Sequence, residues 1–439
     1  MGIRPVQLMI VKNEAGRIRK ALSWGEDLFE QRIVVDTGSL DRTAEIAKSL
    51  GAVVHQIDWE DDFSRARNEA LRYCPDGWVI FTDADEYMSE DDAKKVPGIL
   101  EEAEKSHCNA VDAALLHVDD SSKVQKGGSV TCIFRKQGDD IYYRRRVHEQ
   151  LECRTGLYVF DATDDISVLH AGFRVSEQNT DRDMTLMQKE LIQNPEDCEM
   201  LGFLGDEYYR KGDAAKAEAL YKSSIACMKE PSAGYDPRAV RTFNCLLEIL
   251  GKKKGGEAEF YEYYQKATET FPTEPDFDYL LASYLDYTGD DMRTAEMYER
   301  ALVKYQAFGN DVQGVRTAAA LPQIYETIAR CCSRIGDYAS GERAARQLLS
   351  QQKDHYKTLV YCMICQKGLC ESGEHTLDEC VKVLDLYYER HSLKDQMLLY
   401  RASCDAEFED LRLRLYGRFT PEQQSSLDFL FPVTGVDAQ

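Results

Sequence analysis

The chain has 439 residues, 43% hydrophobic and 30% charged, enough for about two or three globular domains with substantial cores. With 54 Lys and Arg against 77 Asp and Glu, the formal charge is −23 and the pI is near 4.9. That field opposes nonspecific binding to nucleic acid or to an anionic membrane, and no stretch approaches the roughly 18 apolar residues of a membrane span.

The first apolar run, Val6 to Val11, is strand-length and too short for the core of a signal peptide, so a cytoplasmic location is expected. The run ends in Asn13 and Glu14, ahead of an amphipathic segment with Ile18, Ala21 and Leu22 on one face. Ile33-Val34-Val35 predicts a second strand. It opens into Asp36-Thr37-Gly38-Ser39-Leu40-Asp41, where Asp36 reads equally as a helix cap or as a ligand. Residues 53–57 and 64–73 predict a third strand and a third helix. Trp78-Val79-Ile80-Phe81 then predicts a buried fourth strand carrying Asp83 and Asp85 at its carboxyl end.

Strand and helix alternating at this pace imply a parallel sheet, in which ligands bind outside the carboxyl ends of the strands. Asn13, Glu14, Asp36, Asp62, Asp83 and Asp85 would then line one crevice. Two carboxylates one residue apart suit Mg²⁺ or Mn²⁺ held against a phosphate. Further strands are expected over 110–118, 129–135, 141–152 and 166–169, in a mixed region. On a continuous strand His148 and Glu149 point opposite ways, so at most one faces the crevice. Arg144-Arg145-Arg146 would either offset the charge of a bound phosphate or form a solvated basic strand.

Four ordered segments carry a resemblance: Ile10-Val11-Lys12-Asn13-Glu14, Val34-Val35-Asp36-Thr37-Gly38-Ser39-Leu40-Asp41, Asp61-Asp62-Phe63-Ser64-Arg65-Ala66-Arg67-Asn68 and Asp83-Ala84-Asp85-Glu86. Over about the first 175 residues the chain resembles the family 2 glycosyltransferases with the GT-A fold, an α/β Rossmann-like mixed sheet. Arg146-Val147-His148-Glu149-Gln150-Leu151 and Leu169-His170-Ala171-Gly172-Phe173 resemble two later signatures of the same family.

The resemblance implies that Asp36 reads the base and ribose of a UDP donor, with Asn13, Glu14, Asp62, Arg67, Asn68, Asp83 and Ala84 also at the donor. It implies a metal on Asp83 and Asp85, for which His170 would be a third ligand; the alternative for His170 is a packed core histidine. Glu149, in the His148-Glu149 pair, is the candidate base that deprotonates the acceptor in an inverting transfer. Its alternative is a surface residue paired with one of the three arginines.

From about Asn179 the pattern is helical. Leu201, Leu204, Gly205, Tyr208, Ala217 and Tyr221 fit a tetratricopeptide-like repeat, and related turns are expected at Gly212, Gly251, Gly289 and Gly336, at spacings above the ideal of about 34 residues. Insertions are expected around 231–235 and 308–313. Stacked helix pairs of this kind leave a concave surface for a peptide or partner chain, although most of the tyrosines read as repeat core. The apolar end, Leu427 to Pro432, would dock back on the repeats or form a homodimer contact. The 14 cysteines read as reduced core thiols. Cys362, Cys365, Cys370, His375 and Cys380 have spacings open to zinc, against the alternative of a buried helical stripe.

The expected domains are a GT-A unit at 1–175, a helical linker at 176–195, repeats at 196–392 and a terminal helical segment at 393–439. The architecture as a whole is similar to bacterial peptide S/O-glycosyltransferases of the sublancin S-glycosyltransferase type. It implies a metal-dependent inverting transfer of a hexose from a UDP-sugar, UDP-glucose being favoured, with Mn²⁺ or Mg²⁺. The acceptor would be a Cys or Ser/Thr side chain of a bacteriocin-like peptide held by the repeats. The alternatives are a cell-envelope or lipid-linked saccharide acceptor, and a catalytically silent sugar-nucleotide-binding scaffold.

Overall fold

The computed structural model describes residues 2–119, 123–171, 177–228, 236–309 and 314–431. Gly172, Phe173, the insertion at 231–235, most of that at 308–313, and Pro432 lie outside the described residues. The chain divides into two compact units, Met1–Glu207 and Tyr208–Gln439.

The first unit runs β1 (Val6–Val11), α1 (Ile18–Ala21), β2 (Gln31–Asp36), α2 (Thr43–Ser49), β3 (Val53–Gln56), α3 (Phe63–Tyr73) and β4 (Gly77–Phe81). It continues through β5 (Glu86–Tyr87), α4 (Glu90–Lys105), β6 (Ala110–Val118), β7 (Val124–Lys136), β8 (Ile141–Arg144), β9 (Gln150–Cys153), β10 (Val159–Asp161) and β11 (Ser167–Ala171), and then α5 (Glu177–Gln193) and most of α6 (Cys198–Arg210). The helix expected as a linker therefore belongs to this unit.

Among the described residues the main sheet has the order β3-β2-β1-β4-β7-β6-β11-β5, with β10 beside β6. The strands β3, β2, β1 and β4 are parallel, and β7 runs antiparallel to both β4 and β6. Every residue of β1 is buried because the strand is central and covered on both faces. Its pleat sends Leu8 and Ile10 to one cluster with Ala66 and Ala70 of α3, and Met9 and Val11 to another with Ile18, Ala21 and Ala47. Gln7 is tolerated inside because its amide donates to Ala21 O at 2.9 Å and accepts from Arg32 Nε at 3.1 Å.

The single strand expected over 141–152 is not formed. Antiparallel β8 and β9 flank a loop at 145–149 in which Arg145 and His148 take positive φ values of 72° and 53°. Strand geometry requires negative φ, so two such residues end the ladder.

The second unit is helical: α7 (Ala214–Cys227), α8 (Pro237–Lys252), α9 (Glu257–Thr270), α10 (Pro275–Thr288), α11 (Asp291–Phe308), α12 (Val315–Ala319) and α13 (Leu321–Ile335) lead to α14 (Tyr338–Leu349), α15 (Tyr356–Glu371), α16 (Leu377–Leu384), α17 (Leu393–Asp405), α18 (Glu409–Tyr416) and α19 (Pro421–Leu430). Two turns show how the repeats punctuate. Gly289 and Gly336 adopt the left-handed conformation that stops one helix, and Asp290 and Asp337 cap the next by accepting from Arg293 N and Ser340 N. Gly251, expected as a similar turn, lies inside α8 instead, and the left-handed residue there is Gly255.

Tyr221 and Tyr298 are buried in the repeat core, and Tyr208, Tyr209, Tyr261, Tyr263, Tyr264 and Tyr284 pack against it. Tyr287, by contrast, is largely exposed. Cys362 and Cys365 are buried on α15, and the Cys370 and Cys380 sulfurs lie 3.5 Å apart. Among the described residues these cysteines and His375 do not gather into a metal-ligand trio; Asp286, Asp291 and Cys331 do, but Arg330 already pairs with both of those carboxylates. No helix among the described residues is long and apolar enough to cross a membrane.

Candidate active site

The carboxyl ends of β1 and β2 are tied together by the loops that leave them. Asn13 has a φ of 58°, and its N–H donates to Ser39 Oγ at 2.8 Å while its Oδ1 accepts from Leu40 N at 2.7 Å. Glu14 N donates to Thr43 Oγ1 at 2.7 Å. Asp36 is 1% exposed, and its Oδ1 accepts from Gly38 N and Ser39 N at 3.0 and 2.7 Å. Its Oδ2 is buried without a protein partner among the described residues. The turn-capping role is thus carried by one oxygen, and the other is left over.

Beyond β4 the charges divide into two groups. In the first, Arg67 of α3 donates from Nη2 to Asp83 Oδ1 and from Nε to Glu149 Oε1, each at 2.9 Å. Its guanidinium lies over the Phe81 and Tyr143 rings, 4.8 and 5.4 Å from their centroids. Burial disfavours the charged form, but the Asp83 and Glu149 carboxylates outweigh it and hold this buried cation well above its ordinary pKa. Glu86 lies beside it and accepts from Asp83 N at 3.0 Å. Burial first, and then the Asp83 charge, push the Glu86 carboxyl up to about 7. Arg67, Asp83, Glu86, Tyr143 and Glu149, together with Thr131 and Gln150, line a cavity of about 500 Å³.

In the second group, β5 runs antiparallel to β11, which sets Glu86 opposite His170 and brings His170 Nε2 to 3.5 Å from Asp85 Oδ2. Arg17 reaches the same Asp85 oxygen at 3.9 Å and Glu14 Oε2 at 3.4 Å. The hydrogen bond to Asp85 raises the His170 pKa. Burial raises the Glu14 pKa, and the Asp85 charge adds to it against the opposing pull of Arg17. A carboxylate and an imidazole are donors of the kind a divalent cation takes, but among the described residues Asp83, Asp85 and His170 do not gather into a metal-ligand trio. The structure brings Asp85 and His170 together, whereas Asp83 is turned towards Arg67.

Other expected residues serve the scaffold. Asp62 caps α3 by accepting from Arg65 N at 2.9 Å and lies 3.5 Å from Arg146 Nη1. Asn68 donates to Tyr143 O at 2.9 Å and accepts from Tyr143 N at 2.7 Å, fastening β8 to α3. Ala84 is buried. His148 stacks on Phe203, centroids 3.9 Å apart and planes 10° from parallel, and so is directed to α6 while Glu149 faces the cavity. Arg144, Arg145 and Arg146 form no solvated strand: they pair with Glu152, with Asp197 and Glu199, and with Asp62 and Glu190. Arg17, Glu86 and His117 were not singled out by sequence reasoning. Glu86 follows Asp85 directly, but its burial is a tertiary property. His117 is paired with His170 only by the β6–β11 register, with ring centroids 5.3 Å apart.

The "TPR repeat-containing protein Synpcc7942_0270" of Synechococcus elongatus is 28% identical over 60% of this chain and 65% of its own length. The "SPbeta prophage-derived glycosyltransferase SunS" of Bacillus subtilis is 26% identical over 63% of this chain and 65% of its own. The chain thus spans slightly under two thirds of the length of these curated relatives. A crystal structure of S. aureus TarS 1-349 in complex with UDP-GlcNAc is 13% identical over 62% of this chain and 92% of that one, with a TM-score of 0.38. Residues 8–166 match the family model described as glycosyl transferase family 2, and the chain carries a domain of that family, with a GT-A-type mixed sheet, followed by tetratricopeptide-like helical repeats.

Proposed function

We propose that the chain is a metal-dependent, inverting glycosyltransferase that moves a hexose from a UDP-sugar to a Cys or Ser/Thr side chain of a peptide. The observation that carries this reading is the convergence of Asp83, Arg67 and Glu149 on one cavity at the carboxyl end of β4, with Asp85 and His170 beside it. Asp36 supports a donor on the β1–β2 side, because its buried, unpartnered Oδ2 is an acceptor a base or ribose donor would satisfy. Asp85 and His170, with Asp83 next to them, would hold Mn²⁺ or Mg²⁺, which supplies positive charge against the departing diphosphate.

In this reading Glu149 takes the proton from the acceptor thiol or hydroxyl. The sulfur or oxygen forms a bond to the anomeric carbon from the face opposite the diphosphate, the bond from that carbon to the phosphate oxygen breaks, and UDP leaves. Arg67 orients the Glu149 carboxylate at the cavity wall. The repeats hold the peptide on their shared helical face.

The test is UDP release from a panel of UDP-sugars by the purified chain, with Mn²⁺ or chelator, followed by mass spectrometry of Cys- and Ser-containing peptides. A peptide gaining one hexose, with loss of the gain in Glu149→Gln, is the expected result. Failure to bind UDP at all would sink the reading.

A further inference from the structure

The loop at 145–149 carries Glu149, yet much of what holds it comes from beyond residues 8–166, the segment that matches the family 2 model. Arg145 donates from Nε and Nη2 to the two oxygens of Asp197 at 2.9 and 3.0 Å, and from Nη1 to Glu199 Oε2 at 2.7 Å. Gln150 donates to the same Glu199 oxygen at 2.8 Å. Arg146 N donates to the buried Glu190 of α5 at 3.2 Å, and His148 lies flat on Phe203 of α6. Val147 points into the interior, and Glu149 returns to Arg67. Each of five successive residues is therefore engaged, Arg146 through its backbone N–H.

Such fixation has a physical reason. Non-glycine residues at φ of 72° and 53° are strained and persist only where surrounding contacts over-determine them. A bidentate guanidinium–carboxylate pair is the strongest of the contacts available to Arg145. Without it the loop would relax towards extended backbone, and the register that turns His148 to α6 and Glu149 to the cavity would be lost.

We propose that Asp197 and Glu199 on the α5–α6 helical extension, with Phe203, are positioning residues that set the 145–149 loop and so place Glu149 in the cavity. Resting on the functional reading above, this makes the start of the helical region part of the catalytic apparatus, since the isolated α/β domain would lack the groups that fix its candidate base.

The test uses the full chain with Asp197→Asn/Glu199→Gln, which keeps the α6 cap at Asp197 and both side-chain lengths while removing the charge, and with Phe203→Leu as an independent variant. Two readouts are taken: hydrogen exchange of the segment 145–151, and UDP release from UDP-glucose with Mn²⁺. The double variant is expected to raise loop exchange at least about tenfold. It should lower the turnover rate by about 100-fold while the Kd for UDP stays within about twofold, and Glu149→Gln, which keeps an oxygen that can accept from Arg67, should lower turnover while raising exchange less than the double variant does. Unchanged loop exchange, or a loosened loop with wild-type turnover, overturns the proposal. A wild-type chain that binds UDP but releases none from any donor overturns the transferase reading instead, and loop exchange still decides whether the extension fixes the loop.

Discussion

Arg67 Nε lies 2.9 Å from Glu149 Oε1, joining residues 82 positions apart, and both side chains are only 15% exposed. The same guanidinium holds Asp83. Arg67 therefore acts first on the protein's own carboxylates, and a donor phosphate would have to compete with them. Arg67→Met leaves two carboxylates facing each other without a counter-charge and is expected to cost about 3 kcal/mol, the lower end for breaking a buried pair because Asp83 is half exposed. Arg67→Lys keeps the charge but cannot serve both partners with a planar fork, so it should fall between the two. Denaturant midpoints of the three proteins check this; an Arg67→Met protein as stable as wild type would remove the clamp from the argument.

The Asp85–His170 pair yields a second expectation. Asp85→Asn and His170→Gln should each weaken Mn²⁺ binding by at least about tenfold, the scale of losing a ligand or its close partner. Titration calorimetry with Mn²⁺ alone reads this without any substrate. Asp83→Asn, altering the residue turned towards Arg67, should weaken binding less. Wild-type Mn²⁺ affinity in Asp85→Asn would place the cation elsewhere.

What sequence revealed and what it concealed follow from the range of the interactions. β1 was legible because a central strand needs apolar residues on both faces, and Val6 to Val11 supplies them with Gln7 as the sole exception. The acidic end of β4 at Asp83-Ala84-Asp85 was legible because its parts are adjacent. The break at 145–149 was not, since residues 141–152 contain no glycine or proline to announce it and the left-handed turns are imposed by Asp197, Glu199 and Phe203, about 50 residues away. The same holds for His117, which meets His170 only through sheet register. Gly251 misled for the opposite reason: a glycine near a helix end was read as its stop, whereas α8 continues to Lys252.

Two glycines should respond to alanine with opposite signs. A Cβ on Gly341 of α14 would lie 2.6 Å from Cys365 Sγ and 3.0 Å from Cys332 Cβ, both in buried residues. Overpacking outweighs the gain in helix propensity there, and Gly341→Ala is expected to destabilise by about 2 kcal/mol. Gly98 of α4 has nothing within 4 Å of the added atom, so Gly98→Ala should stabilise by about 0.5–1 kcal/mol. Thermal unfolding of both variants checks the contrast, and a stabilising Gly341→Ala would contradict the close α13–α14–α15 packing.

The last prediction concerns pH. Asp395 is 2% exposed, and its Oδ2 accepts from Glu389 N at 2.9 Å and Lys353 Nζ at 3.0 Å. Burial pushes its pKa up, but the Glu389 amide and the Lys353 ammonium outweigh burial and hold it below the ordinary carboxylate value. Folding thus favours the ionised form. The stabilisation is fully present above the unfolded-state pKa of about 4 and is lost as pH falls through the lower folded value. Asp395→Asn should therefore cost about 2 kcal/mol at pH 7, the scale of hydrogen bonds to a charged group. The gap from wild type should stay constant from pH 7 to about 5 and close below about 4. Urea midpoints of the two proteins across that range measure it. A gap that persists unchanged well below pH 4 would mean that Asp395 contributes through shape and not through charge.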